Sequence, residues 1–242
     1  MYLDVLFNPA GLTEADVRDK AVIVLEVLRT STSMVTALHN GAKTIVPAPT
    51  LGDAARMAAN LDPKVFVLGG EKNGQPISGY QLGNSPLEYT PEAVANRTVI
   101  MHTSNLTNAI SIARSAPVLV VGCFLNMTRL INFVAQSKHD ILVVCGGHKG
   151  TAALGDVLCV GQMVELLTNV HKVDAGLSDA AMIAHSTYLY NKNHVVDKLK
   201  AGVQGKALEA VGLLGDVPYS CQIDFSGILP VFNPSNLSIN AS

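Results

Sequence analysis

The sequence predicts an α/β protein, a three-layer α/β/α sandwich with a mostly parallel or mixed sheet, folded as a single compact domain over residues 1–242. Three observations lead there. Short apolar runs of strand length recur along the chain, each followed by a polar loop and then by a stretch of helical period, which is the alternation of βαβ units. The runs are nearly continuous, as in Val22-Ile23-Val24-Leu25 and Ile141-Leu142-Val143-Val144, and this suits strands covered on both faces. Hydrophobic residues are 48% of the 242 positions, charged residues only 15%, and mean hydropathy is +0.31. Most of such a chain must be packed, and its length supports a sizeable core.

Thr13 with Glu14 and Asp16 marks a short helix that ends by Asp19-Lys20. Residues 22–28 follow as a strand interrupted by Glu26. A carboxylate inside such a run is costly unless it is paired, protonated or bound to a metal. Arg29-Thr30-Ser31-Thr32-Ser33 then opens a helix through Met34, Val35, Ala37 and Leu38 that closes at Asn40-Gly41. The hydroxyls are expected to cap this helix. Its free N–H groups beside a guanidinium suit a phosphate or sulfonate, although the same pattern also reads as an ordinary capped helix with a surface arginine.

Residues 42–46 form the next strand, and Thr50 or Asp53 opens a helix with Ala54, Ala55, Met57, Ala58 and Leu61 on its apolar side, stopped by Asp62-Pro63. A strand over 65–68 runs into Gly69-Gly70-Glu71-Lys72-Asn73-Gly74. Residues 75–89 have neither helical nor strand period; a loop this long, with apolar and aromatic members, is expected to be ordered and functional. Strands over 98–101, 118–121 and 141–145 each lead through a polar or glycine-rich loop into a helix, the last of them over 156–167. Further helices cover 178–190, 194–201 and 207–213, before a final strand over 228–232 and a polar tail. In sheets of this kind ligands bind beyond the carboxyl ends of the strands.

Composition excludes several functions. A net charge of −2 and a pI near 6.4 provide no basic field for nucleic acid or an anionic membrane. No apolar run approaches the roughly 18 residues of a membrane-spanning helix, and Met1-Tyr2-Leu3-Asp4 does not begin a signal peptide, so a cytoplasmic location is expected. Cys123, Cys145, Cys159 and Cys221 form no Cys-x-x-Cys and read as reduced core thiols. Neither a phosphate-binding Gly-x-x-x-x-Gly-Lys-Ser/Thr loop nor a strand-linked Gly-x-Gly-x-x-Gly is present. His102 and His148 follow strands and are candidate general bases. Glu26, Glu71 and Asp156 stand at strand ends or loops, where acids with substrate oxygens could hold a hard cation such as Mg2+. Asp156 equally suits the first turn of a helix, and Glu71 a solvated loop charge.

One set of segments carries more information than any one of them. It comprises Glu26-Val27-Leu28-Arg29-Thr30-Ser31-Thr32-Ser33, Gly69-Gly70-Glu71-Lys72, the loop Gly79-Tyr80-Gln81-Leu82-Gly83-Asn84-Ser85-Pro86, Thr103-Ser104-Asn105, residues 122–126, Asp156-Val157-Leu158-Cys159-Val160-Gly161 and residues 224–230. Together these resemble the 2-phosphosulfolactate phosphatase family, Mg-dependent enzymes of coenzyme M biosynthesis. The resemblance implies the three-layer fold and hydrolysis of a phosphate monoester on a small sulfonated or carboxylated acid. By the same resemblance Arg29, Asn84 and Asn105 are catalytic, while Thr30, Ser31, Thr32, Lys72, Ser85, Thr103 and Ser104 bind substrate. Glu26, Glu71 and Asp156 would hold Mg2+.

The chain departs from the family pattern at Glu26, Lys72 and Leu106, where Asp, Arg and Gly are usual, and at Lys149 and Gly155, where acids are usual. A retuned enzyme or a catalytically impaired member that binds an anionic metabolite or a partner protein would follow from such changes. So apolar a chain also suits a homo-oligomer.

Overall fold

The computed structural model describes residues 1–59 and 61–242. Its strands are β1 (Tyr2–Leu6), β2 (Lys20–Leu25), β3 (Thr44–Pro47), β4 (Phe66–Lys72), β5 (Gln75–Pro76), β6 (Thr98–His102), β7 (Val118–Val121), β8 (Asp140–Cys145), β9 (Gly176–Leu177), β10 (Pro230–Asn233) and β11 (Ser238–Ala241). The helices are α1 (Glu14–Val17), α2 (Thr30–His39), α3 (Leu51–Ala59), α4 (Pro91–Val94), α5 (Leu106–Ala113), α6 (Met127–Gln136), α7 (Leu154–Glu165), α8 (Asp179–Asn191), α9 (Val195–Ala201), α10 (Val203–Ala210) and α11 (Asp216–Ser220).

All strands join one mixed sheet in the order β5-β4-β6-β3-β11-β10-β7-β2-β8-β1-β9. The apolar runs are continuous because each central strand feeds two cores. Val22 and Val24 of β2 pack with α2 and α5, whereas Ile23 and Leu25 pack with α6, α7 and α8 on the opposite face. On the far side of β3, β4 and β6, Ala54 of α3 packs against Ala48 and Ile100.

The sheet consists of two parallel blocks, β4-β6-β3 and β7-β2-β8-β1-β9, joined through the antiparallel hairpin β10–β11. Pairing is antiparallel from β3 to β11, from β11 to β10 and from β10 to β7, so the blocks run in opposite senses along the sheet. Twist reconciles them. About 20–25° per step, accumulated over the six steps from β4 to β2, amounts to roughly 120–150°. A rotation of that size turns the two carboxyl ends towards one another, in keeping with the meeting of the segments that follow them, where Asn84 Nδ2 reaches Thr30 Oγ1 at 3.2 Å.

Several boundaries differ from the sequence reading. β2 stops at Leu25, so Glu26 lies in the loop beyond the strand. β4 continues through Gly69-Gly70-Glu71-Lys72, residues that composition alone makes a loop. Gly70 allows this, because at φ +127° a Cβ would lie 1.8 Å from the His102 carbonyl oxygen. Leu61 falls outside α3 and is exposed; the preceding position, 60, lies outside the described residues. The polar tail contains β11, and β1 precedes the first element read from sequence. Residues 75–89 hold β5 and a 3₁₀ turn, Pro86–Glu88; Asn84, Ser85, Pro86 and Tyr89 are buried, whereas Gln75, Pro76, Ser78, Gly79 and Gln81 are exposed. All four cysteines are free thiols, three of them buried, and no helix among the described residues is long and apolar enough to cross a membrane.

Candidate functional site

The loop after β2 folds back on the start of α2. Glu26 donates its backbone N–H to Ser31 Oγ at 2.9 Å and accepts the Thr30 hydroxyl on Oε1 at 3.0 Å. The hydroxyls therefore do not cap the helix as expected. Thr32 Oγ1 donates to the Val27 carbonyl at 2.8 Å, and Ser33 Oγ donates to the Asn84 carbonyl, also at 2.8 Å. They bind the catalytic-looking loops together, and all four of Thr30, Ser31, Thr32 and Ser33 are fully buried. The backbone N–H groups of Ser31 and Ser33 are taken by the Glu26 and Arg29 carbonyls, while those of Thr30 and Thr32 have no protein acceptor among the described residues. Free amides at the positive end of a helix form an anion seat.

Asn84 enters this cluster from the long loop. Its Nδ2 donates to Thr30 Oγ1 at 3.2 Å. With the Thr30 proton directed to Glu26, the hydroxyl can only accept from Asn84, so the amide is oriented with Oδ1 turned away. That Oδ1 and Glu26 Oε2 are both buried without a hydrogen-bond partner. Two such oxygens next to one hydroxyl call for a partner from outside the protein, a water or a ligand, because leaving them bare costs desolvation energy.

Burial raises the Glu26 carboxyl to about 8, with further contributions from the negative charges of Asp156 and Glu71. Asp156 is likewise pushed up to about 7 by burial, against the pull of two backbone N–H groups. Those donors are Val27 on Oδ1 at 2.9 Å and Gly147 on Oδ2 at 3.0 Å. Asp156 does lie in the first turn of α7, and it staples the loop after β2 to the loop after β8. Gly146 completes that contact, since a Cβ there would lie 2.6 Å from both Glu26 Cγ and Glu26 Oε2.

Arg29 is buried, and its Nη1 donates to Asp216 Oδ2 at 2.9 Å. The other Asp216 oxygen accepts the Ser85 hydroxyl at 2.6 Å. Asp216 and Gly146 are site residues that sequence reasoning missed, and Ser33, read there as one of the capping hydroxyls, instead holds the Asn84 carbonyl. No local signal marks Asp216, which stands 187 positions from its partner.

The three expected ligand acids gather around Glu26 electrostatically, yet no group of three His, Cys, Asp or Glu side chains among the described residues could hold a metal ion. Asp156 is committed to its two amides. Glu71 accepts from Ser104 N at 2.6 Å, from Ser104 Oγ at 3.2 Å and from the Gly74 amide. It is a buried cap at the start of α5, contrary to the solvated-loop alternative. The oxygens left unpartnered are Glu26 Oε2 and Asn84 Oδ1, atom types that fit Mg2+, which takes one or two protein carboxylates plus substrate and water oxygens.

Among the remaining expected residues, Asn105 is half-buried at the N-cap of α5 without a side-chain capping bond, and Thr103 Oγ1 is buried and unpartnered. Lys72 and Ser104 are exposed. His102 Nδ1 lies 2.9 Å from the Ala48 carbonyl, and the pKa of His148 is lowered by burial and by Lys149. Neither histidine is hydrogen-bonded to Glu26, Arg29 or Asn84. The departures have plain structural consequences: Leu106 is core, Lys149 is exposed at φ +50°, and a Cβ added at Gly155 would lie 3.4 Å from Val27 Cβ.

Comparison with known proteins identifies the family of the chain. The family model described as 2-phosphosulpholactate phosphatase matches residues 6–235. The chain is 32% identical over 230 residues to a probable 2-phosphosulfolactate phosphatase of Caldanaerobacter subterraneus subsp. tengcongensis, covering 95% of each chain. Proteins of the same name from Clostridium novyi, 32% identical with 96% and 97% coverage, and Clostridium tetani, 30% identical with 96% and 97% coverage, are also similar.

Proposed function

The chain belongs to the 2-phosphosulpholactate phosphatase family, and from that membership we propose that it is a phosphoric monoester hydrolase whose reaction is cleavage of 2-phosphosulfolactate to sulfolactate and phosphate. The observation that carries this reading is the buried cluster at the start of α2. There the Arg29 guanidinium and two free helix amides stand beside the unpartnered oxygens of Glu26 and Asn84.

Each residue then has a task. Arg29 and the Thr30 and Thr32 amides bind the phosphoryl oxygens and stabilise charge as the bond to the leaving oxygen breaks. Glu26 and Asn84 would hold Mg2+, which when bound supplies charge neutralisation and a more acidic water. Glu26 must then give up the proton that burial holds on its carboxyl near neutral pH. Asp156 keeps Glu26 in place through Val27 and Gly147. The sulfonated end of the substrate is given to the exposed Lys72 and Ser104, since the Ser85 hydroxyl is already taken by Asp216. The reading includes a cytoplasmic setting, supported by four free thiols. It also includes a homo-oligomer, supported by the exposed Met182, Ile183, Leu189 and Tyr190 of α8.

The test is phosphate release from 2-phosphosulfolactate and from a panel of small phosphate monoesters, with Mg2+ and with EDTA. Release that EDTA abolishes and that Arg29→Ala lowers by on the order of 10³-fold is the expected result. A folded protein releasing phosphate from none of them would sink the reading.

A further inference from the structure

We infer that Asp216 is a positioning residue: through one carboxylate it aims the Arg29 guanidinium and fixes the Asn84-Ser85 loop, so that the two halves of the anion seat move as a unit. The inference rests on the proposed reading of Arg29 as the phosphate-binding group. Asp216 is fully buried, and both of its oxygens are used by the site, Oδ2 by Arg29 Nη1 and Oδ1 by Ser85 Oγ. It belongs to α11, a five-residue helix far along the chain, which docks on α2 a second time through Tyr219 Oη and Thr36 Oγ1 at 3.2 Å.

The geometry separates two jobs on one arginine. Nη1 is spent on Asp216, while the other guanidinium N–H groups take no acceptor among the described residues and none is sealed from solvent. One edge is thus an anchor and the other is open to a ligand. A planar fork held at one edge presents the other in a fixed direction, which a flexible cation does not. Ser85 adds the second link, because its backbone neighbour Asn84 contributes Nδ2 to Thr30 and its carbonyl to Ser33. A loop that drifted would carry Asn84 Oδ1 away from Glu26, and misplacement on the scale of 1 Å costs about 10²-fold in rate.

A double-mutant cycle tests this, reading kcat/KM for 2-phosphosulfolactate and the dissociation constant for inorganic phosphate, with melting curves confirming the fold. Asp216→Asn is expected to lower kcat/KM by about 10- to 100-fold and to weaken phosphate binding in the parent chain. In an Arg29→Ala background it is expected to change either by less than about two-fold, since asparagine keeps an oxygen for Ser85 and gives up only the ion pair with Arg29. Equal losses in both backgrounds, or none in the parent, would overturn the inference. Ser85→Ala keeps the ion pair and releases only the loop, so it is expected to have a smaller effect of the same kind even where Asp216→Asn fails to fold; an unchanged kcat/KM for that variant overturns the link. A chain that turns over no ester removes the proposed function but still decides this point through nitrogen-15 spectra of the Arg29 side chain. Distinct Nη signals in the parent that average together in Asp216→Asn support anchoring, and identical spectra refute it.

Discussion

The starts of α2 and α5 repeat one local recipe, a buried carboxylate beside a run of hydroxyl residues at a helix N-terminus, with opposite results. At α5, Glu71 accepts from Ser104 N, Ser104 Oγ and Gly74 N, so both of its oxygens are used. At α2, Glu26 has one oxygen bonded to Thr30 and the other buried and bare, with Asn84 Oδ1 bare nearby. The first carboxylate is complete without a ligand, and the buried atom left bare beside it is a neutral hydroxyl, Thr103 Oγ1. The second carboxylate is incomplete. What separates a structural cap from a binding site is therefore the hydrogen-bonding capacity left over after folding, and the residue types at the two joints do not reveal it.

The largest effect should come from Glu26→Gln, which removes the charge from the incomplete joint. We expect kcat/KM to fall by on the order of 10²- to 10³-fold while the protein becomes more stable at pH 8. The sign follows from the raised pKa. The folded chain holds a proton on Glu26 up to about 8, whereas the ordinary value is 4.5. Its stabilising contribution is complete below the ordinary value and is lost as pH rises through the folded one. Asp156, raised from 3.8 to about 7, acts in the same direction. Melting curves of metal-free protein should therefore fall from pH 5 to pH 8, and Glu26→Gln should flatten that fall by roughly 5 °C at the upper end. An unchanged pH profile would mean that Glu26 is not the under-satisfied acid.

Gly146→Ala probes the same joint without touching a charge. Its Cβ would meet Glu26 at 2.6 Å, so the carboxyl must move, and we expect kcat/KM to drop by about 10²-fold with KM and kcat both affected. The smallest effect on activity should come from Glu71→Gln. It weakens charge-assisted bonds at the complete joint, which we expect to cost about 1–3 kcal/mol by denaturant unfolding, while kcat/KM stays within a few-fold. An activity loss matching that of Glu26→Gln would erase the contrast between the two joints.

The fold was legible where a strand is buried on both faces. β2, β7 and β8 announce themselves because alternate residues enter separate cores and only their first positions, Lys20 in β2 and Asp140 in β8, are polar. β1, with Asp4, and β11, with Ser238 and Asn240, carry polar residues and read as tails. The site was legible as a set of residues and not as an arrangement. Arg29, Glu26 and Asn84 do gather, but the hydroxyls' roles depend on where the chain folds back, and the Lys72 side chain is simply exposed. The Arg29–Asp216 pair spans 187 positions, a distance over which no periodicity or propensity carries information.

The hairpin β10–β11 sits in the middle of the sheet although it is made from residues 230–241. It is fastened to β7 through Val231 and Val120 and to β3 through Ile239 and Ile45. As the ribosome delivers the chain, β3 and β7 are both complete long before their shared neighbour exists, and each waits with an open hydrogen-bonding edge. Such edges are templates for pairing with other chains. The last dozen residues of the sheet are thus a keystone, and a nascent chain halted before them would present two sticky half-sheets whose catalytic loops face no common centre.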